Sequence, residues 1–246
     1  MIDGYDASSR AGIDATYLDP NTRGSNESVT LLRFSAHARY VDAASGFGGY
    51  AQLPFSYLSS PAQNTITDVG DLELGAIYVP RLPDPQFGLV LHAGITAPTG
   101  EKGNAAAVGL GESFIATPQL YNSLPRGITG KIGVSPTFRS GNVFGRIELS
   151  LDKNFDAEDA SVTAGFHFNF GLGVDLGAVA IMAESANLAI LSQADRDNGA
   201  TLSSIALSMR ANAGAVSPYL AVIVPVEHDT SNVIDFAVTL GADFKL

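Results

Sequence analysis

Apolar and polar residues alternate with a period of two along almost the whole chain. In SVTLLRFSAHARYV, Leu32, Phe34, Ala36, Ala38 and Tyr40 form one set, and Arg33, Ser35, His37 and Arg39 form the other. In DASVTAGFHFNFG, Val162, Ala164, Phe166, Phe168 and Phe170 alternate with Ser161, Thr163, Gly165, His167 and Asn169. The last segment sets Ile234, Phe236, Val238, Leu240, Ala242, Phe244 and Leu246 against Asp235, Thr239, Gly241, Asp243 and Lys245. This period belongs to strands with two unlike faces. The chain is therefore all-β.

Twelve such segments can be marked, near 7–18, 28–40, 47–58, 68–80, 86–97, 127–139, 142–154, 160–171, 173–185, 201–213, 216–227 and 232–246. Each is roughly 10–13 residues, twice the length usual in soluble sheets and a match to a tilted bilayer crossing. The connections DAASG, LPDPQ, RSG, GLG and AGAVS are short. The others, among them LDPNTRGSNES, SSPAQNTIT, the stretch from Pro98 to Gly127 and NLAILSQADRDNG, are mostly longer and polar. Short turns at one end and long loops at the other point to a transmembrane, antiparallel, up-and-down β-barrel of about 12 strands. An even count puts both termini at the short-turn end. The segment SFIATPQLYNSL is left in the long loop, because counting it as a strand would break that parity. No composition shift divides residues 1–246, so a single barrel domain is expected.

Alternation alone does not say which face is inside. A soluble barrel would turn its apolar set inward around a ligand. Here only 16% of residues are charged, against about 25% in soluble domains. That suits an inverted barrel whose outer band meets lipid. Aromatics add to this: Tyr40, Phe47, Tyr78, Phe87, Phe138, Phe170 and Phe244 fall at the short-turn ends, as an interfacial girdle would, with Tyr17 and Tyr57 at the opposite interface. The net charge of −11 argues against a nucleic-acid partner. There are no cysteines, so thiol chemistry is excluded. The opening MIDGYDASSR has neither a basic nor an apolar leader region. A mature chain in a bacterial outer membrane, its signal peptide removed, fits the barrel reading.

The chain ends TLGADFKL. The last strand is expected to pair with the first and leave no open edge. The pattern Thr239-x-Gly241-x-x-Phe244-x-Leu246 resembles the C-terminal β-signal of outer-membrane barrels, although the usual last residue is Phe. That resemblance implies recognition by the barrel-assembly machinery. The run GDLELGAIYVPRLPDPQFGLVLHAGITAPTG is similar to the G-D-L-x-L-G-x-x-Y … P-T-G signature of the phenol-degradation meta-pathway or transporter-like outer-membrane barrels. The run LPRGITGKIGVSPTFRSGNVFGRIELSLD resembles the following hairpin of a related group. Together they cover about a quarter of the chain, and imply a barrel for uptake of small, often apolar or aromatic compounds. The family offers no catalytic residues to carry over.

Twelve tilted strands give a backbone diameter of roughly 24 Å and room for a pore of about 10 Å unless something fills it. The polar set that would line it contains Arg33, His37, Arg39, Lys131, Arg139, Arg146 and Arg210, with His92 and His167. Its acids are Asp14, Asp71, Glu73, Glu148, Asp152, Asp175, Asp235 and Glu227. These charges fit a selectivity zone that steers polar solutes. They fit also a cross-strand ladder of ion pairs that stiffens the barrel and could block it, and both can hold at once. The Gly- and Ala-rich run PTGEKGNAAAVGLGES could fold inward as a constriction or remain an external loop.

Loop carboxylates such as Glu101, Asp156, Asp195 and Asp229 could bind cations that bridge lipopolysaccharide. No D-x-D-x-D-G spacing occurs. Of the four histidines, only His228 lies in a loop, and no H-x-H or H-E-x-x-H spacing exists. Neither a metal, a cofactor nor an enzyme is expected. The expected partners are membrane lipid and lipopolysaccharide, the assembly machinery and small-molecule solutes. The sequence leaves two functions open: a passive or weakly selective channel, or a non-conducting barrel serving as scaffold, receptor or subunit of an envelope complex.

Overall fold

The computed structural model describes residues 8–20, 29–60, 63–100, 128–155, 164–191, 201–227, 231 and 234–246. Among them thirteen strands form one antiparallel sheet. The first six are β1 (Arg10–Pro20), β2 (Thr30–Val41), β3 (Phe47–Ser60), β4 (Gln63–Val69), β5 (Leu72–Tyr78) and β6 (Phe87–Ala97). Then come β7 (Thr129–Ser140), β8 (Val143–Asn154), β9 (Ala164–Asp175) and β10 (Val179–Ile190). The last three are β11 (Thr201–Ala211), β12 (Val216–Pro225) and β13 (Ile234–Lys245).

Strands β4 and β5 are successive parts of one stave: β3 pairs with β5 from Phe47 to Gln52 and with β4 from Phe55 upward. The sheet thus has twelve staves. It closes on itself where β1 pairs with β13, from Arg10↔Lys245 to Pro20↔Ile234. Pairing along that seam is continuous from Arg10 to Asp19 and shifts register only at Pro20, and such closure is the condition for crossing hydrocarbon with strands.

Burial is inverted relative to a soluble protein. Arg10, Arg33, Glu73, Lys131, Glu148, Asp152 and Asp243 are buried, while Ile13, Phe34, Ile132, Leu207 and Leu240 are exposed. The alternating polar set faces the lumen and the apolar set faces outward, as a lipid-facing band requires. Tyr40, Phe47, Phe87, Phe138 and Phe244 are exposed near the short-turn ends, and Phe47 stacks on Tyr78 at 4.5 Å between ring centroids.

The short turns rest on local chemistry. Gly46, Gly141, Gly177 and Gly214 have positive φ, a backbone state that costs glycine least. Asp42 caps the first turn, accepting from the Ser45 backbone N–H at 2.8 Å and its hydroxyl at 2.6 Å.

Two expectations need correction. GLG, residues 171–173, is not a turn: β9 runs through it to Asp175, and the chain reverses at Leu176–Ala178. Phe170 therefore sits five residues inside the end of its strand, away from the girdle. SSPAQNTIT is not simply a loop, because Gln63–Val69 pairs back onto β3 as a strand. The segments SFIATPQLYNSL and residues 101–127, and His228, lie outside the described residues.

Candidate functional site

The lumen-facing charges gather on two arcs of the wall. On the seam arc Asp243 is the hub. Its Oδ2 accepts from Arg10 at 2.7 Å and from Arg210 at 2.8 Å, and its Oδ1 meets His37 Nε2 at 2.9 Å. His37 Nδ1 lies 3.6 Å from Asp14, which also accepts from the Tyr219 hydroxyl at 3.4 Å. Arg210 lies over the Tyr219 ring at 5.5 Å, within the range of a cation–π contact. Five strands are tied together here, across the junction of the first and last.

The opposite arc is built on β3 and β5 to β10. Glu73 accepts from Lys131 at 2.9 Å and from the Tyr50 hydroxyl at 2.8 Å. Asp152 holds His167 Nε2 at 2.8 Å, and Arg146 reaches Glu184 at 3.2 Å. Glu73 and His167 are each only 1% exposed. Charges this dry must be paired. Among the buried residues, Arg10, Arg33 and Arg39 outnumber Asp243 on the seam arc. Asp71, Glu73, Glu148, Asp152 and Glu184 outnumber Lys131 on the other. The lumen is basic on one side and acidic on the other.

Glycines make three of these contacts possible. There the partners lie two strands apart, and the residue between them is a glycine in the same register row. Asp243, Gly12 and His37 form one such row, Tyr219, Gly241 and Asp14 another, and Arg146, Gly171 and Glu184 a third. A Cβ on Gly12 would fall on Asp243 and His37, and one on Gly241 would overlap the Tyr219 ring. The Tyr50 ring crosses Gly75 and Gly94 in the same way on its path to Glu73. At these places a side chain crosses the neighbouring strand where that strand presents no side chain of its own.

The two halves of the G-D-L … P-T-G pattern meet at the break between β4 and β5. Gly100 N donates to Asp71 at 2.9 Å, the Thr99 hydroxyl to Gly70 O at 3.1 Å, and Leu72 N to Thr99 Oγ1 at 2.8 Å. Asp71 is thus engaged in a clasp that holds the end of β6 against the stave break.

The wall itself is irregular between β9 and β10. Regular pairing stops at Ser185↔Phe170 and resumes at Leu188↔His167. In the gap, Asn187 N donates to Asn169 Oδ1 at 2.9 Å and Asn187 Nδ2 to Phe168 O at 2.8 Å. A cavity of about 10 Å³ lies beside it, lined by Arg146, Glu148, Asn169 and Glu184 among others, with room for about one water.

Most of the lumen residues expected from sequence lie on these arcs: Arg33, His37, Arg39, Glu73, His92, Lys131, Arg146, Glu148, Asp152, His167 and Arg210. Arg139 does not. It lies exposed at the short-turn rim, paired with Asp175 at 3.0 Å, so neither residue belongs to the buried zone. Glu227 lies beyond the end of β12. The hub Asp243 and the partners Arg10, Glu184, Tyr50 and Tyr219 escape a reading that collects charges without register. For Asp243, Glu184, Tyr50 and Tyr219 the signal is the glycine opposite each, whereas Arg10 pairs with Lys245 and Arg39 and carries none. Thr239 faces inward against Thr16 at 2.8 Å, whereas Phe244 and Leu246 are exposed. No group of three or more His, Cys, Asp or Glu among the described residues is placed to hold a metal ion.

This geometry defines a class: a closed, twelve-stave antiparallel barrel with a charged interior and an apolar exterior, the fold of outer-membrane channels. An outer membrane channel from Pseudomonas putida F1 shares it with a TM-score of 0.74 at 12% identity, over 100% of this chain and 98% of that one. Outer membrane phospholipase A from Escherichia coli is more distant, at 0.51 and 10% identity over 100% and 95%. The translocator domain of the autotransporter NalP from Neisseria meningitidis gives 0.52 at 8% identity, over 98% and 90%. At these identities the likeness is one of fold. No family model and no curated protein matches the chain.

Proposed function

We propose that this chain is an outer-membrane channel for passive or weakly selective passage of small molecules, apolar and aromatic ones among them. The observation that carries the reading is the polarity of the two faces: charges line the lumen and apolar residues cover the outside. A scaffold that conducts nothing has no need of acidic and basic arcs facing one another. Such opposed arcs impose a field across the lumen and orient dipolar solutes as they pass, which gives weak selectivity. The membrane is the bacterial outer membrane, with lipid and lipopolysaccharide as surroundings. The terminal Thr239-x-Gly241-x-x-Phe244-x-Leu246 serves the assembly machinery, and no catalysis is assigned.

The second reading, a non-conducting barrel in an envelope complex, draws on the burial and pairing of the inner charges. Single-channel recording of the refolded protein in a planar bilayer separates the two. Discrete, stable current steps support the channel. Verified insertion with no current, and no uptake of uncharged solutes by proteoliposomes, sinks it in favour of the complex.

A further inference from the structure

The interior of a membrane barrel is normally polar throughout, yet here one inner register row is apolar across seven neighbouring staves. Ile66 pairs with Leu58, Leu58 with Leu31, and Leu31 with Leu18. The row continues from Leu18 to Ala237, from Ala237 to Ile223, and from Ile223 to Ala206. It lies toward the long-loop ends of these strands except at Ala206, midway along β11, whose register partner on β10 is Glu184. Ile234 is 0% exposed and packs into the same cluster. The pair Leu188↔Leu202 carries the apolar surface on to β10. Among the described residues, the buried polar groups at that end include Asp71, Thr96, Thr129 and Asn154 on the far wall, and Ser204 on β11.

Fold stability does not require this arrangement, since a lumen wall can be closed with hydroxyls, as Thr16 and Thr239 do one step below. An apolar constriction resists wetting, and an ion must leave much of its hydration shell to cross it. Ile66 also sits on β4, which leaves the barrel line at the break held by Asp71 and Thr99. The clasp therefore fixes where one end of the apolar row lies.

We propose that this row is the ion barrier of the lumen, with Leu31 and Ile223 as specificity-determining residues that favour solutes which shed water cheaply. The proposal rests on the channel reading. Below the barrier the charged arcs orient a solute, and at the barrier its hydration decides passage.

The test compares isosteres. Valine and threonine have the same shape and differ by a hydroxyl, so Leu31→Val with Ile223→Val controls for size in the variant carrying Leu31→Thr with Ile223→Thr. All three proteins are refolded, checked for insertion, and recorded in planar bilayers in potassium chloride. The threonine protein is expected to pass current severalfold larger than the valine protein, which stays close to the unaltered chain. Equal conductance in the threonine and valine proteins overturns the barrier and leaves the channel reading standing. Silence in all three despite insertion overturns the barrier, and if proteoliposomes also take up no uncharged solute it overturns the channel reading with it.

Discussion

Leu240→Arg is the sharpest test of the outward apolar face. Leu240 lies on β13 between Ala15 and Leu220 and is 60% exposed. It is six residues from Ile234 and five from Lys245, the ends of its strand. At about 3.4 Å per residue and a tilt near 40°, each step climbs about 2.6 Å along the membrane normal. Leu240 is then about 16 Å from one end and about 13 Å from the other, close to the middle of a band about 25 Å tall. Arginine at such a depth costs about 2–4 kcal/mol, against about 0–1 at the interface. Phe87, exposed at the start of β6, supplies the interfacial control. Reversible unfolding of the protein in phosphatidylcholine vesicles is to be followed by circular dichroism, because the chain has no tryptophan. Leu240→Arg is expected to lose about 1–4 kcal/mol more than Phe87→Arg, the difference between those two ranges. Equal losses at the two positions would refute the placement of β13 across lipid.

Three further outcomes are expected. Glu73→Gln takes from buried Lys131 its charge-assisted hydrogen bond and should cost about 1.5–3 kcal/mol, and adding Lys131→Met should recover much of it; vesicle unfolding measures both. Gly241→Ala drives a Cβ into the Tyr219 ring and should cost about 1–3 kcal/mol as an overpacked contact. Pairing it with Tyr219→Ala should restore refolding yield, unless the glycine matters for assembly rather than packing. The Ser45 hydroxyl, then the backbone N–H groups of Ser45 and Ala44, hold the Asp42 carboxyl below its ordinary range. Its contribution to the turn is complete above that range and fades as pH falls through the lowered value. Ser45→Ala should move the Asp42 titration midpoint upward, as followed by NMR of its carboxyl carbon.

Period-two alternation carries enough information to count the staves, because a lipid-facing band forces every second residue to be apolar over a full crossing. Turn placement is less legible. Glycine serves two purposes in this chain, and spacing does not separate them. Gly171 and Gly173 are slots beneath Glu184, Met182 and Phe144, whereas Gly177, two residues beyond Asp175, makes the turn. The β4 strand escaped because its residues Thr65 and Thr67 stand beyond the apolar band, where the outward face has no need to be apolar. At the candidate site the charges were legible from parity, but their partners were not. Which side chain meets which depends on register and on the glycine between, as in Asp243, Gly12 and His37.

Inversion of the two faces is the central claim, and a nitroxide scan of β11 tests it most directly. The chain has no native cysteine, so single cysteines from Ser204 to Met209 give unambiguous labels. Accessibility to molecular oxygen, concentrated in lipid, is compared with that to a water-soluble nickel chelate in proteoliposomes. The account predicts oxygen maxima at Ile205, Leu207 and Met209, which face outward, and minima at Ser204, Ala206 and Ser208, which face the lumen. Maxima on the serine set, or no alternation at all, would contradict it.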